Sequence, residues 1–149
     1  MKTFSTIVFP TDFSENSEYA FDHALTLARQ FNARLVVVHV INEPVDLRGF
    51  YVPHVSFEKL EEEIVAAAEK MMEKFCRTKL KDYVNFTSSI VSGIPYDEIL
   101  KKADEENASL IVMGTHGRRG IDHFLFGSTA ERVVRNAKCP VMTVRPPEE

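Results

Sequence analysis

The most constraining feature of this chain is an alternation that never breaks: short β-branched and aliphatic runs, each followed by a longer amphipathic one. Ile7-Val8-Phe9 is followed by Asn16–Phe31, which carries Ala20, Ala24, Leu27, Ala28 and Phe31 on one helical stripe. Arg34–Ile41 (RLVVVHVI) is almost continuously apolar, the pattern of a parallel strand covered on both faces. Phe57–Asp82 repeats apolar residues at spacings of three and four, through Leu60, Ile64, Ala68, Met71, Met72 and Phe75. Val84–Ser92 and Ser109–Met113 read as strands, with a helix from Pro95 to Asn107 between them; Pro95 stands where a missing N–H costs nothing. A helix over Ser128–Lys138 and a strand over Pro140–Arg145 complete the series. Asn42–Ser56, with Pro44, Gly49 and Pro53, reads as a loop or mobile lid.

This order implies an α/β fold: a doubly wound five-stranded parallel sheet with helices on both faces, Rossmann-like. Right-handed crossovers leave few strand orders, and 3-2-1-4-5 is the expected one. The first and fourth strands are then neighbours from which the chain departs to opposite faces. Ligands bind at the carboxyl ends of strands at such a switch point. The loops meeting there are Pro10-Thr11-Asp12 and the glycine-rich stretch that begins at Gly114.

Composition narrows the function classes. Lys plus Arg number 18 against 22 Asp plus Glu, a net charge of −4, whereas a duplex-binding surface needs an excess of cations. No apolar run is long enough to span a bilayer, and Met1-Lys2-Thr3-Phe4 leads directly into the first strand, so a cytoplasmic location is expected, with neither membrane nor nucleic acid as partner. Cys76 and Cys139 are read as free thiols, and no zinc-ligand spacing is present.

Gly114-Thr115-His116-Gly117 leaves the fourth strand, and Gly127-Ser128-Thr129 opens the next helix. Glycine lets backbone approach a ligand closely, and the N–H groups of a helix N-terminus attract phosphate. No Gly-Lys-Ser/Thr occurs, so this is not a Walker A loop, and the spacing does not fit G-x-G-x-x-G. The pattern Gly-x2-Gly-x9-Gly-Ser resembles the ATP-binding branch of the universal stress protein family, and the resemblance covers nearly the whole chain. It includes Phe9-Pro10-Thr11-Asp12-Phe13-Ser14, His39-Val40-Ile41, Val91-Ser92-Gly93-Ile94-Pro95 and Cys139-Pro140-Val141.

The resemblance implies a single nucleotide-binding domain over residues 1–149, dimeric and tied to survival under stress. It implies ATP as ligand, with a divalent cation (Mg or Mn) held mainly through the phosphates. By position, Thr11 and Asp12 look like the contacts to ribose and adenine, Val40 like the backbone contact to the adenine edge, and Met113 like its neighbour. Gly114, Gly117, Gly127, Ser128 and Thr129 look like the phosphate wrap, and Pro10 and His116 are counted among the nucleotide-binding residues. A homodimer is expected through the fifth strand, because Val141-Met142-Thr143-Val144 forms a sheet edge without charge, lysine or proline.

Plainer readings stand beside these. Asp12-x-x-Glu15 suits a capping box for the first helix, and Ser128-Thr129 suits an ordinary N-cap. His116 and His123 read as exposed loop histidines rather than metal or general-base residues, His39 as a hydrogen-bonded core residue rather than a catalyst, and Arg118-Arg119 equally as a screen for phosphate charge or as a solvated pair. Met71-Met72 reads as packing, and Glu58, Glu61, Glu62 and Glu63 as a solvated helix face. The functional alternative to a regulatory ATP-binding module is a slow ATPase, or a phosphotransferase that phosphorylates itself at Ser128 or Thr129. No phosphate-loop lysine, second acidic magnesium ligand or positioned glutamine supports fast turnover. A third reading is an interaction protein with an empty cleft.

Overall fold

The computed structural model describes residues 3–42, 57–116 and 126–147. The strands are β1 (Thr6–Pro10), β2 (Arg34–Ile41), β3 (Phe86–Ser92), β4 (Leu110–Gly114) and β5 (Val141–Val144). The helices are α1 (Glu15–Phe31), α2 (Phe57–Lys79), α3 (Pro95–Glu105) and α4 (Ser128–Asn136). All pairings are parallel and the order is β3-β2-β1-β4-β5, as the alternation predicts.

The period-two geometry of the strands divides the interior into two layers. Ile7, Phe9, Leu35, Val37, Leu110 and Val112 face α1 and α2, where they meet Phe21, Met72 and Phe75. Val8, Val36, Val38, Ile111 and Met113 face α3 and α4, where they meet Ile99, Ala103, Ala130 and Val133. The first layer is built on aromatic rings: Phe75 stacks on Phe9 at 6.4 Å and meets Phe21 edge-on at 4.9 Å. Phe21, fully buried, lies outside the stripe read from the sequence, which carries Leu27 and Phe31 as half-buried members. Of Met71-Met72, only Met72 packs; Met71 is exposed and belongs to no core.

Helix ends differ from the periodicity for local reasons. The reading over Phe57–Asp82 overruns α2, because Leu80 turns into the core and the Tyr83 hydroxyl is shared by the carbonyls of Ala28 and Ala33. Both contacts draw the chain off the helix axis. Helix α3 stops short of Asn107, which adopts a left-handed φ of 52° while Ala108 N–H closes on the Ala103 carbonyl. Strand β3 begins at Phe86; Val84, read as its first residue, is almost wholly exposed. Helix α4 ends at Asn136, two residues before the end read from the sequence.

Gly93 has φ 152°, and a Cβ there would lie 2.8 Å from the Glu98 side chain. Glycine is thus required where β3 turns into α3. Both cysteines are free and half-buried, and burial pushes both thiols up from their ordinary values.

Candidate functional site

Strands β1 and β4 lie side by side, so the turn after β1 and the loop after β4 open at the same edge of the sheet. The first turn is tightly held. Pro10 is buried and pairs with Val38, and Thr11 N–H donates to the Val38 carbonyl at 2.9 Å. The Thr11 side chain is buried; its Oγ1 accepts from Phe13 N–H at 3.0 Å and from the Ser17 hydroxyl at 2.7 Å. Half-buried Asp12 accepts the Ser14 N–H through Oδ1 at 3.0 Å, an Asx-turn. Phe13 follows with φ 64°, a left-handed conformation that a bulky residue rarely adopts.

The N-cap of α1 is Ser14, whose Oγ accepts from Ser17 N–H at 3.2 Å. The capping-box reading of Asp12 is therefore corrected: the carboxylate shapes the turn before the cap rather than capping the helix. The Thr11 Oγ1 accepts the bonds from Phe13 and Ser17 at this same turn, which fixes the placement of its neighbour. This internal role was not legible from the sequence.

Across the switch point, Gly114 ends β4 and lies against the first turn of α1; a Cβ there would sit 3.4 Å from the Asn16 carbonyl oxygen. Thr115 is buried, donates its N–H to the Val144 carbonyl at 3.1 Å, and accepts the Gly127 N–H at 2.7 Å. That last bond closes the loop by tying its exit to its entrance. Thr115 is a loop-closing residue that sequence reasoning missed; its signal in the sequence was its place between Gly114 and His116.

Gly127 is the N-cap of α4, with an extended φ of −72° and ψ of 167° and no side-chain cap. The N-cap reading of Ser128 and Thr129 is corrected accordingly: they are the first two residues of the helix, Ser128 exposed and Thr129 half-buried. Gly127 needs no positive φ, but a Cβ would lie 3.3 Å from the Thr115 oxygen and 3.9 Å from His116 Cδ2. This is a tight packing in front of a helix whose N-cap residue supplies no side-chain cap, the electrostatic setting that favours an anion.

His116 is half-buried rather than exposed. Its Nδ1 lies 3.2 Å from the Thr115 hydroxyl, while its Nε2 is buried without a hydrogen-bond partner among the described residues. A buried ring nitrogen left unpaired costs free energy unless something else supplies the partner. Val40 and Met113, the residues assigned to the adenine side, belong to one apolar cluster on the α3–α4 face. Gly117, Arg118, Arg119 and His123 lie outside the described residues, as does the segment 43–56. Among the described residues no group of three His, Cys, Asp or Glu side chains could hold a metal ion, and no helix is long and apolar enough to cross a membrane.

The model of the universal stress protein family matches residues 3–145. This chain belongs to the universal stress protein family. Universal stress protein MJ0531 of Methanocaldococcus jannaschii is 34% identical over 148 residues, spanning 98% of this chain and 85% of the relative. The solved structure of MJ0577, from the same organism, superposes with a TM-score of 0.86 at 28% identity, covering 99% of this chain and 100% of that one. A universal stress protein solved in complex with cAMP superposes with a TM-score of 0.67 at 26% identity, covering 97% of this chain and 98% of that one.

Proposed function

We propose that this universal stress protein is an ATP-binding regulatory module, one nucleotide-binding domain over residues 1–149 acting through its dimer or a protein partner. The observation that carries the reading is the meeting, at the carboxyl ends of β1 and β4, of the Asp12 turn with an α4 N-terminus whose N-cap is Gly127. The nucleoside lies between Pro10-Thr11-Asp12 and the β2 end at Val40, with Met113 beneath it. The phosphates lie against Gly114, His116, Gly117, Gly127, Ser128 and Thr129. The fit is physical: glycine at position 127 leaves the start of α4 without a capping side chain, the helix supplies donors, and the buried His116 Nε2 gains a partner. A relative solved with cAMP supports an adenine nucleotide as the ligand class.

A divalent cation, Mg or Mn, is held mainly by the phosphates in this reading and screens their charge. The domain works in the cytoplasm. A second copy pairs through β5, where Val141, Met142, Thr143 and Val144 form the sheet edge and Met142 is exposed. The direct test is mass spectrometry of the nucleotide that the purified protein carries out of the cell. An adenine nucleotide is expected. A chain that neither carries nor takes up an adenine nucleotide overturns the proposal.

A further inference from the structure

His39 sits on β2 between Val38 and Val40, half-buried on the α1–α2 side of the sheet. Its Nδ1 lies 2.7 Å from the Thr11 carbonyl oxygen. A carbonyl can only accept, so Nδ1 carries the hydrogen and the tautomer is fixed by its partner. β2 therefore grips Thr11 at both ends of the residue: the Val38 carbonyl takes its N–H at 2.9 Å, and His39 holds its carbonyl. The imidazole also lies against the Phe13 ring, with centroids 4.6 Å apart and planes tilted by 38°. Phe13 carries the left-handed φ of this turn, and such a conformation in a bulky residue persists only where its surroundings over-determine it. Asp12 lies between these two held residues.

We propose that His39 is a positioning residue for the nucleoside half of the site. Its Nδ1–H sets the Thr11 carbonyl and so the angle at which the Asp12 carboxylate is presented towards the end of β2 at Val40. The inference rests on the nucleotide-binding reading for its functional consequence, whereas the clamp itself is made by the chain's own residues.

Two substitutions separate the donor from the ring. His39→Phe keeps an aromatic surface against Phe13 and removes the donor; His39→Asn removes the ring and keeps an N–H close to the place of Nδ1. Titration calorimetry with AMP and with ATP is expected to show a roughly two- to tenfold loss for His39→Phe, the scale of one neutral hydrogen bond. The factor is the same for both ligands, because the phosphate half is untouched, and His39→Asn recovers most of it. In the ligand-free proteins, amide exchange at Phe13 and Ser14 accelerates in His39→Phe and returns towards wild type in His39→Asn. Unchanged affinity in His39→Phe, a loss confined to ATP, or failure of His39→Asn to recover binding overturns the assignment. If the wild-type chain binds neither nucleotide, the functional proposal fails by itself. Exchange at Phe13 and Ser14 then still decides the clamp, and unchanged exchange in His39→Phe overturns it.

Discussion

Ser128→Ala separates a ligand contact from a helix cap, because the two roles predict opposite patterns. Were Ser128 the cap of α4, its loss would cost about 1 kcal/mol of ligand-free stability and leave ATP affinity nearly intact. The cap is Gly127, with no side-chain hydrogen bond, and Ser128 is an exposed first helical residue. Alanine is at least as good a helix former there, so ligand-free stability is expected to stay within about 0.5 kcal/mol of wild type. On the ligand side, a hydroxyl donating to a charged phosphate contributes about 1.5–3 kcal/mol, a roughly ten- to hundredfold weaker Kd or slightly more on its removal. The backbone donors and the helix dipole remain, so binding weakens without vanishing. Thermal unfolding of the ligand-free variant and calorimetry with ATP provide the two numbers. A lowered melting temperature with normal affinity would refute the role given to this hydroxyl and restore the cap.

The carbonyls of Pro140 and Val144 bond to β4, so strand alternation turns the Thr143 N–H outward to the sheet edge. Thr143→Pro is therefore expected to leave the β4 ladder intact and yield monomers in sedimentation analysis; an unchanged dimer places the interface elsewhere. The Arg34 guanidinium, 2.7 Å from Glu106, holds that carboxyl below its ordinary range through a hydrogen bond. A depressed carboxyl adds stability above its unfolded pKa and loses it as pH falls through the folded one. Glu106→Gln should thus remove a small share of stability at neutral pH, about 0.2–1 kcal/mol, and flatten the acid limb of a stability–pH profile. An acid limb as steep as wild type would contradict this. Phe75→Ala removes the ring shared by Phe9, Phe13 and Phe21 and should cost about 3–5 kcal/mol in denaturant unfolding; a loss under 1 kcal/mol would place the core elsewhere.

The strand order was legible because it follows from alternation and crossover handedness, both visible in runs such as Arg34–Ile41. The meeting of the two loops at the β1–β4 switch point was legible for the same reason: a switch point lies where the topology puts it. The tasks of individual side chains were not. Asp12-x-x-Glu15 has the spacing of a capping box, yet Ser14 takes the cap, because the left-handed Phe13 brings the chain onto the α1 axis two residues later. Thr115 and His39 act through a backbone carbonyl apiece, and pattern in a sequence reports side-chain type rather than carbonyl partners. Helix ends failed where one buried side chain decided them, as Leu80 does for α2.

The central claim is that the β1–β4 switch point binds ATP by its adenine and its phosphates together. Isothermal titration of the intact chain with ATP, GTP and AMP in the presence of magnesium tests it most directly. ATP is predicted to bind more tightly than GTP, because the backbone at Val40 meets the adenine edge and a guanine O6 acceptor would face the wrong partner. ATP should also exceed AMP, because the α4 N-terminus acts on the terminal phosphates. Equal affinity for ATP and GTP, or no heat with ATP at millimolar concentration, would contradict the account.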